Sequence, residues 1–174
     1  SPLMLPVTEG STTTRVADAI TGAGDATLFS SVNSSGVLYA EIANFITTSG
    51  VVESISISDG TNDNTVRLEY SGAENVIRFI FKVSGESTLT MSYTGSDITS
   101  YSKAAVKWNT NDFSLWVDGV ERDTESVGIT FSLNTLTKLT FDRGDGSSPF
   151  YGKTKAIYVT EVLTDDELEA LTTP

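Results

Sequence analysis

The chain has 174 residues, 39% hydrophobic and 20% charged, enough to bury the core of one domain and short for two. Its formal net charge of −12 repels phosphate backbones and anionic membrane surfaces, which argues against nucleic acid as a partner. It has no cysteine and no histidine, which removes disulfides, thiolate and imidazole metal sites, cysteine nucleophiles and the Ser-His-Asp triad, and leaves carboxylates as the acid–base groups near neutral pH.

The first fourteen residues, with two prolines and "STTT", read as an extended lead, and residues 15–174 as one folded domain. The lead lacks a basic n-region and a long apolar h-region, and no apolar run reaches membrane-spanning length, so no membrane insertion is expected. The chain begins at Ser1 without a methionine, so a processed chain or a piece of a longer protein with other domains is expected.

From residue 37 onward short apolar–polar alternations follow one another, separated by Gly, Asn, Asp and Ser clusters. "VLYAEIANF" sets Leu38, Ala40 and Ile42 against Tyr39, Glu41 and Ala43. "ESISIS" sets Ile55 and Ile57 against serines, and "DGTNDN" turns. "TVRLEY" sets Val66, Leu68 and Tyr70 against Arg67 and Glu69. "VIRFIFKV" sets Ile77, Phe79, Phe81 and Val83 against Val76, Arg78, Ile80 and Lys82. "TLTMSY" follows, then "KAAVKW" and "FSLWVDG", joined by the hairpin signal "NTND". "LTKLTFDRG" and "KAIYVTEV" close the series. Roughly ten such runs predict an all-β antiparallel two-sheet sandwich, each sheet with one face buried and one solvated. One stretch reads as helix, "TDDELEALTT". Thr164 and Glu167 form a capping box, Asp165 and Asp166 suit the positive helix end, and Leu168 and Leu171 face the sandwich.

Three segments resemble a known family. "AAVKWNTNDFSLWVDGVERD" is similar to the hairpin of laminin-G-like, concanavalin A-like domains. "AIYVTEVLTDDELEALTT" resembles their closing strand and helix. "LPVTEGSTTTRVADAIT" resembles a segment that precedes such domains in bacteriophage tail and virion proteins, with Arg15, Ala17 and Asp18 keeping the pattern. The resemblance implies a jelly roll used as a non-catalytic carbohydrate- or receptor-binding module, extracellular or on a virion. It supplies no ligand residues, because such folds carry sites on variable faces and loops.

Four features bear on chemistry. "ERDTE" places Glu121, Asp123 and Glu125 in the spacing that concanavalin A-like glycoside hydrolases use. Its intervening residues are polar, so it reads as a solvated edge and not a cleft wall. A structural calcium has candidate ligands in Asp59, Asn62, Asp63 and Asn64, or in Asp142 and Asp145, residues that equally well make turns. "RGD" at 143–145 is a tripeptide of the integrin-binding type that also suits a turn. The fourth feature is the outward row. Trp116 stands between Ser114 and Asp118, opposite a complete apolar set. Sugars stack their C–H faces on aromatic rings and bond through hydroxyls to carboxylates and guanidinium groups. Tyr39, Glu41, Arg78, Lys82, Ser114, Trp116 and Asp118 would form such a surface if their strands share a sheet. Alternatively, Trp116 packs under a loop or the C-terminal helix. Trp108 at a strand end is a further candidate. The expected function is non-catalytic recognition of polysaccharide or cell-surface glycan in a phage structural protein. The alternatives are a virion assembly domain without a glycan ligand, and a glycan hydrolase or lyase.

Overall fold

The computed structural model describes residues 21–95 and 97–174. In chain order its strands are β1 (Thr21–Ala23), β2 (Gly36–Ala43), β3 (Glu53–Ser58), β4 (Thr65–Tyr70), β5 (Val76–Val83), β6 (Ser87–Thr94), β7 (Ser102–Trp108), β8 (Phe113–Val117), β9 (Val120–Glu125), β10 (Lys138–Thr140) and β11 (Lys153–Thr160), and helix α1 (Asp165–Thr172) follows. They form a six-stranded sheet, β1-β10-β3-β4-β5-β6, and a five-stranded sheet, β11-β2-β7-β8-β9. Every pairing described is antiparallel. The chain is therefore a jelly-roll-like β-sandwich with one short C-terminal helix. The expected lead at 1–14 and the motif residues Arg15, Ala17 and Asp18 lie outside the described residues.

The core lies between the sheets and is built from the apolar rows that alternation predicts. Leu38, Ala40 and Ile42 of β2 and Phe113, Leu115 and Val117 of β8 meet Ile55 and Ile57 of β3, Val66 and Leu68 of β4, and Phe79 and Phe81 of β5. Phe81 anchors an aromatic cluster, with the Phe113 ring 5.1 Å away edge-on and Phe131 4.7 Å away. The β8–β9 connection is a two-residue turn in which Asp118 (φ 52°) and Gly119 (φ 75°) both take the left-handed conformation. That is the type I′ geometry that Asp-Gly favours and that matches strand twist.

The outward rows depart from expectation. All six residues of β3 and all six of β4 are buried, including Ser54, Ser56, Arg67 and Glu69. The loop after β10 folds back over them: Ser148 O accepts from Ser54 N (3.0 Å), and a Cβ on Gly144 would come within 2.6 Å of Ser58 Oγ. On the other sheet, α1 lies across β7 and β8 and makes a second small core from Val37, Tyr39, Ala105, Trp116 and Leu168, with Leu171 partly buried beside it.

Candidate functional site

The residues expected to form one sugar-binding row do not meet. Trp116 is only 6% exposed. Its ring lies in the small core that α1 closes, and its indole N–H donates to Ser114 Oγ at 3.0 Å. Ser114 is buried as well. The packed alternative for Trp116 is therefore the correct one, because α1 docks on the row that alternation points outward. Trp108 is fully buried, with its N–H donating to Val32 O. Asp118 sits in the β8–β9 turn, where its Oδ1 accepts from Lys103 N. Tyr39 is buried beneath Tyr158, and burial, with Glu41 nearby, raises its hydroxyl pKa. Glu41 is half-buried and pairs with Lys155 at 3.3 Å. Arg78 and Lys82 stand on β5, in the opposite sheet. The single surface joining Tyr39, Glu41 and Trp116 to Arg78 does not exist.

Arg78 belongs to a different constellation. Across the outer face of the six-stranded sheet the register aligns Thr140, Ser56, Arg67 and Ile80 in one row, and Ser54, Glu69, Arg78 and Ser92 in the next. Glu69, 1% exposed, binds the Nε (3.0 Å) and Nη2 (2.5 Å) of Arg78 through Oε1. Its Oε2 accepts from Ser54 Oγ at 3.0 Å and lies 3.3 Å from Arg67 Nε. Arg67 also donates through Nη1 to Asn62 Oδ1 in the 59–64 turn. Burial lowers the Arg67 pKa; Glu69 opposes this, while the charges of Arg143 and Arg78 add to it. Arg67 and Arg78 thus flank one buried carboxylate, and the charge of Arg143 lies close enough to act on Arg67.

This cluster has more guanidinium donors than acceptors. Arg67 Nε and Arg143 Nε are buried without a hydrogen-bond partner, as is Thr65 Oγ1 in the neighbouring row. Such unpaired donors are rare in folded proteins, and water or an ion commonly satisfies them. Beside the cluster, Lys138, Thr140, Asp142 and Gly144–Gly146 line an open recess of about 310 Å3. Asp145 reaches it from the same loop that carries Arg143. A larger hollow, about 600 Å3, lies elsewhere between Leu28, Phe29, Leu139 and Ile157, and its lining is mainly apolar.

The alternation already placed Arg67 and Glu69 in an outward row, and "DRGDG" already held Arg143. The signal that points to a site is the Arg-x-Glu pair facing Arg78 across two strands. A single polar row cannot show that loops cover it.

The remaining expectations resolve as follows. Glu121, Asp123 and Glu125 lie on β9, an edge strand. A bulge pairs Glu121 with Trp116 and Asp123 with Leu115, so the first carboxylate points to the face opposite the other two. Burial and the nearby Asp165 raise the Glu121 pKa, but Asp123 is tied to Ser92 N and Glu125 to Ser126 N. The three do not line one cleft. In the turns, Asp59 accepts from Thr61 and Asn64, Asp142 from Thr140 and Gly144, and Asp145 from Ser147. Among the described residues no three carboxylates converge as metal ligands. Asp145, within the RGD tripeptide, is engaged with Ser147 through both its backbone N–H and hydroxyl.

No protein-family model matches the sequence and no curated protein is similar to it. Its fold is shared with solved structures. The CBM40 module of the Ruminococcus gnavus IT-sialidase superposes with a TM-score of 0.69 at 19% identity, over 92% of this chain and 98% of that one. The leech intramolecular trans-sialidase superposes with a TM-score of 0.68 at 15% identity, over 90% of this chain and 26% of that one. The binding domain of botulinum neurotoxin DC gives 0.62 at 13% identity, over 83% and 36%. What these structures share with this chain is the fold, a two-sheet β-sandwich.

Proposed function

We propose that this chain is a non-catalytic glycan-binding module that takes an acidic sugar on the outer face of its six-stranded sheet. In this reading Arg67, Arg78 and Arg143 bind the sugar carboxylate, and the recess lined by Lys138, Thr140 and Gly144–Gly146 is the approach. The observation that carries it is the two buried guanidinium Nε groups, of Arg67 and Arg143, that have no hydrogen-bond partner within the chain. A planar guanidinium fork matches a carboxylate bidentately, which a lysine cannot do. Support also comes from two neighbours in fold: the Ruminococcus gnavus module has been solved bound to α2,3 and α2,6 sialyllactose, and the cell entry of botulinum neurotoxin type C depends on two ganglioside molecules. The split of Glu121 from Asp123 and Glu125 favours binding over hydrolysis, since a retaining pair must face one bond.

The test is calorimetric titration with 3′-sialyllactose and with lactose. The acidic sugar binds and lactose binds at least 10-fold more weakly at the arginine face. Arg78→Lys keeps the charge, loses the fork, and weakens 3′-sialyllactose at least 10-fold in a chain that still melts cooperatively. Equal affinity of wild type and Arg78→Lys would refute the assignment. The "LPVTEGSTTTRVADAIT" segment also supports a role as the recognition domain of a phage tail or virion protein, acting outside the cell. A chain that binds no glycan but co-purifies with virion assemblies would favour the assembly role instead.

A further inference from the structure

We propose that the open half of the five-stranded sheet carries a second sugar-binding surface, with the Tyr158 ring as its stacking platform and the Glu41–Lys155 pair as its hydroxyl partners. The inference rests on the reading of this chain as a glycan-binding module, but not on the arginine face, which lies on the other sheet. The register aligns Tyr158, Tyr39, Ala105 and Trp116 across β11, β2, β7 and β8. Helix α1 covers the Trp116 end of this row and leaves the Tyr158 end open, so Trp116 is 6% exposed and Tyr158 is 57% exposed.

Tyr158 is not a loose surface ring. It stacks on the buried Tyr39, with centroids 5.4 Å apart and planes at 28°. One face is held and the remainder meets solvent, so little side-chain freedom is lost when a ligand stacks there. Glu41 follows Tyr39 by two residues on β2, so it shares that face about 7 Å further along the strand. Lys155 Nζ lies 3.3 Å from Glu41 Oε1 and 4.1 Å over the ring of Tyr101, itself 38% exposed. The ion pair lies between the sheet face and the Tyr101 ring. It presents a carboxylate oxygen as acceptor and ammonium N–H groups as donors beside the ring.

This chemistry fits a neutral hexopyranose. The C–H face of the sugar covers the ring, and adjacent hydroxyls both donate to Glu41 and accept from Lys155. An anionic sugar would meet the carboxylate of Glu41. A protein partner would want a contiguous apolar centre, whereas here one ring alternates with charges.

The experiment is an NMR titration of the tyrosine ring resonances with lactose, cellobiose and maltose as probes. At least one of the three shifts the Tyr158 and Tyr39 signals saturably. Tyr158→Ala weakens that sugar at least 10-fold, Tyr158→Phe retains it, and Arg78→Lys leaves it unchanged. If none of the probes moves the Tyr158 signal in the wild-type chain, the proposal is wrong, whatever the variants do. It is equally wrong if Arg78→Lys abolishes binding of the neutral sugar and Tyr158→Ala does not, because that sugar then sits on the arginine face. Loss of neutral-sugar binding in Tyr158→Ala, together with unchanged 3′-sialyllactose affinity in Arg78→Lys, would uphold this surface while refuting the arginine site.

Discussion

Two tryptophans and a tyrosine show how a buried polar tip is handled in this sandwich. Trp108 and Trp116 each find an acceptor for the indole N–H, Val32 O and Ser114 Oγ. Trp116→Ala is therefore expected to cost about 3–5 kcal/mol by leaving a cavity under α1. Ser114 loses its partner as well. Thermal and denaturant melts check this, and a change of only a few tenths would return Trp116 to the surface. Tyr70 is the contrasting case. Its ring stacks 5.9 Å from Phe150, but its hydroxyl is buried without a partner. Burial, with Glu53 beside it, raises the Tyr70 pKa well above the ordinary tyrosine value. An unpaired buried hydroxyl costs free energy that phenylalanine does not, so Tyr70→Phe is expected to leave stability unchanged or raise it. A loss beyond ~1 kcal/mol, the size of a net hydrogen bond, would reveal one made by this hydroxyl.

At the scale of elements, α1 decides which part of the five-stranded sheet is open. Its eight residues are too few to be helical alone, so its stability comes from its cap and from Leu168, which is fully buried. The capping box is complete: Glu167 N donates to Thr164 Oγ1, and Thr164 N donates to Glu167 Oε2 at 2.8 Å. Thr164→Ala is expected to destabilise the domain by ~1 kcal/mol. The Thr164 donors lower the Glu167 pKa below its ordinary value of 4.5. A carboxylate with a lowered folded pKa contributes stability above its unfolded pKa and loses it as pH falls through the folded one. Acid melts below pH 4.5 should therefore separate wild type from Glu167→Gln less and less. A difference that stays constant to lower pH would show that the glutamate charge is not what the cap uses. The cap and its strand were legible in "KAIYVTEVLTDDELEALTT", as were the other eight strand runs named, because caps and alternation are local signals. What the alternation could not show is what lies above each outward row. It put Trp116, Arg67 and Glu69 on outward faces, and all three are on them. Helix α1 covers the first, and the loops at 59–64 and 142–148 close over the other two. Sheet membership is likewise non-local, which is why Arg78 and Trp116 read as neighbours and lie on opposite sides of the core.

At the scale of the whole molecule, the net charge of −12 and a cluster of three arginines pull an acidic ligand in opposite directions. The cluster acts at contact distances, where solvent ions hardly enter. The net charge acts from afar: at ~20 Å in water it opposes a single negative charge by about 2.5 kcal/mol before screening. Raising ionic strength from 0.01 to 0.15 M shortens the screening length from about 30 to about 8 Å. The long-range repulsion then fades while the hydrogen-bonded arginine contacts persist. Association of 3′-sialyllactose is therefore expected to quicken severalfold across that range, with dissociation nearly unchanged. This is the reverse of the behaviour of a protein whose whole surface attracts its ligand. Stopped-flow or surface-binding kinetics at four ionic strengths measures both rates. An association rate that falls steadily with added salt would mean that the field at the mouth of the arginine face is positive at long range. In that case the acidic residues of the chain are clustered away from that face, and their overall count does not govern approach.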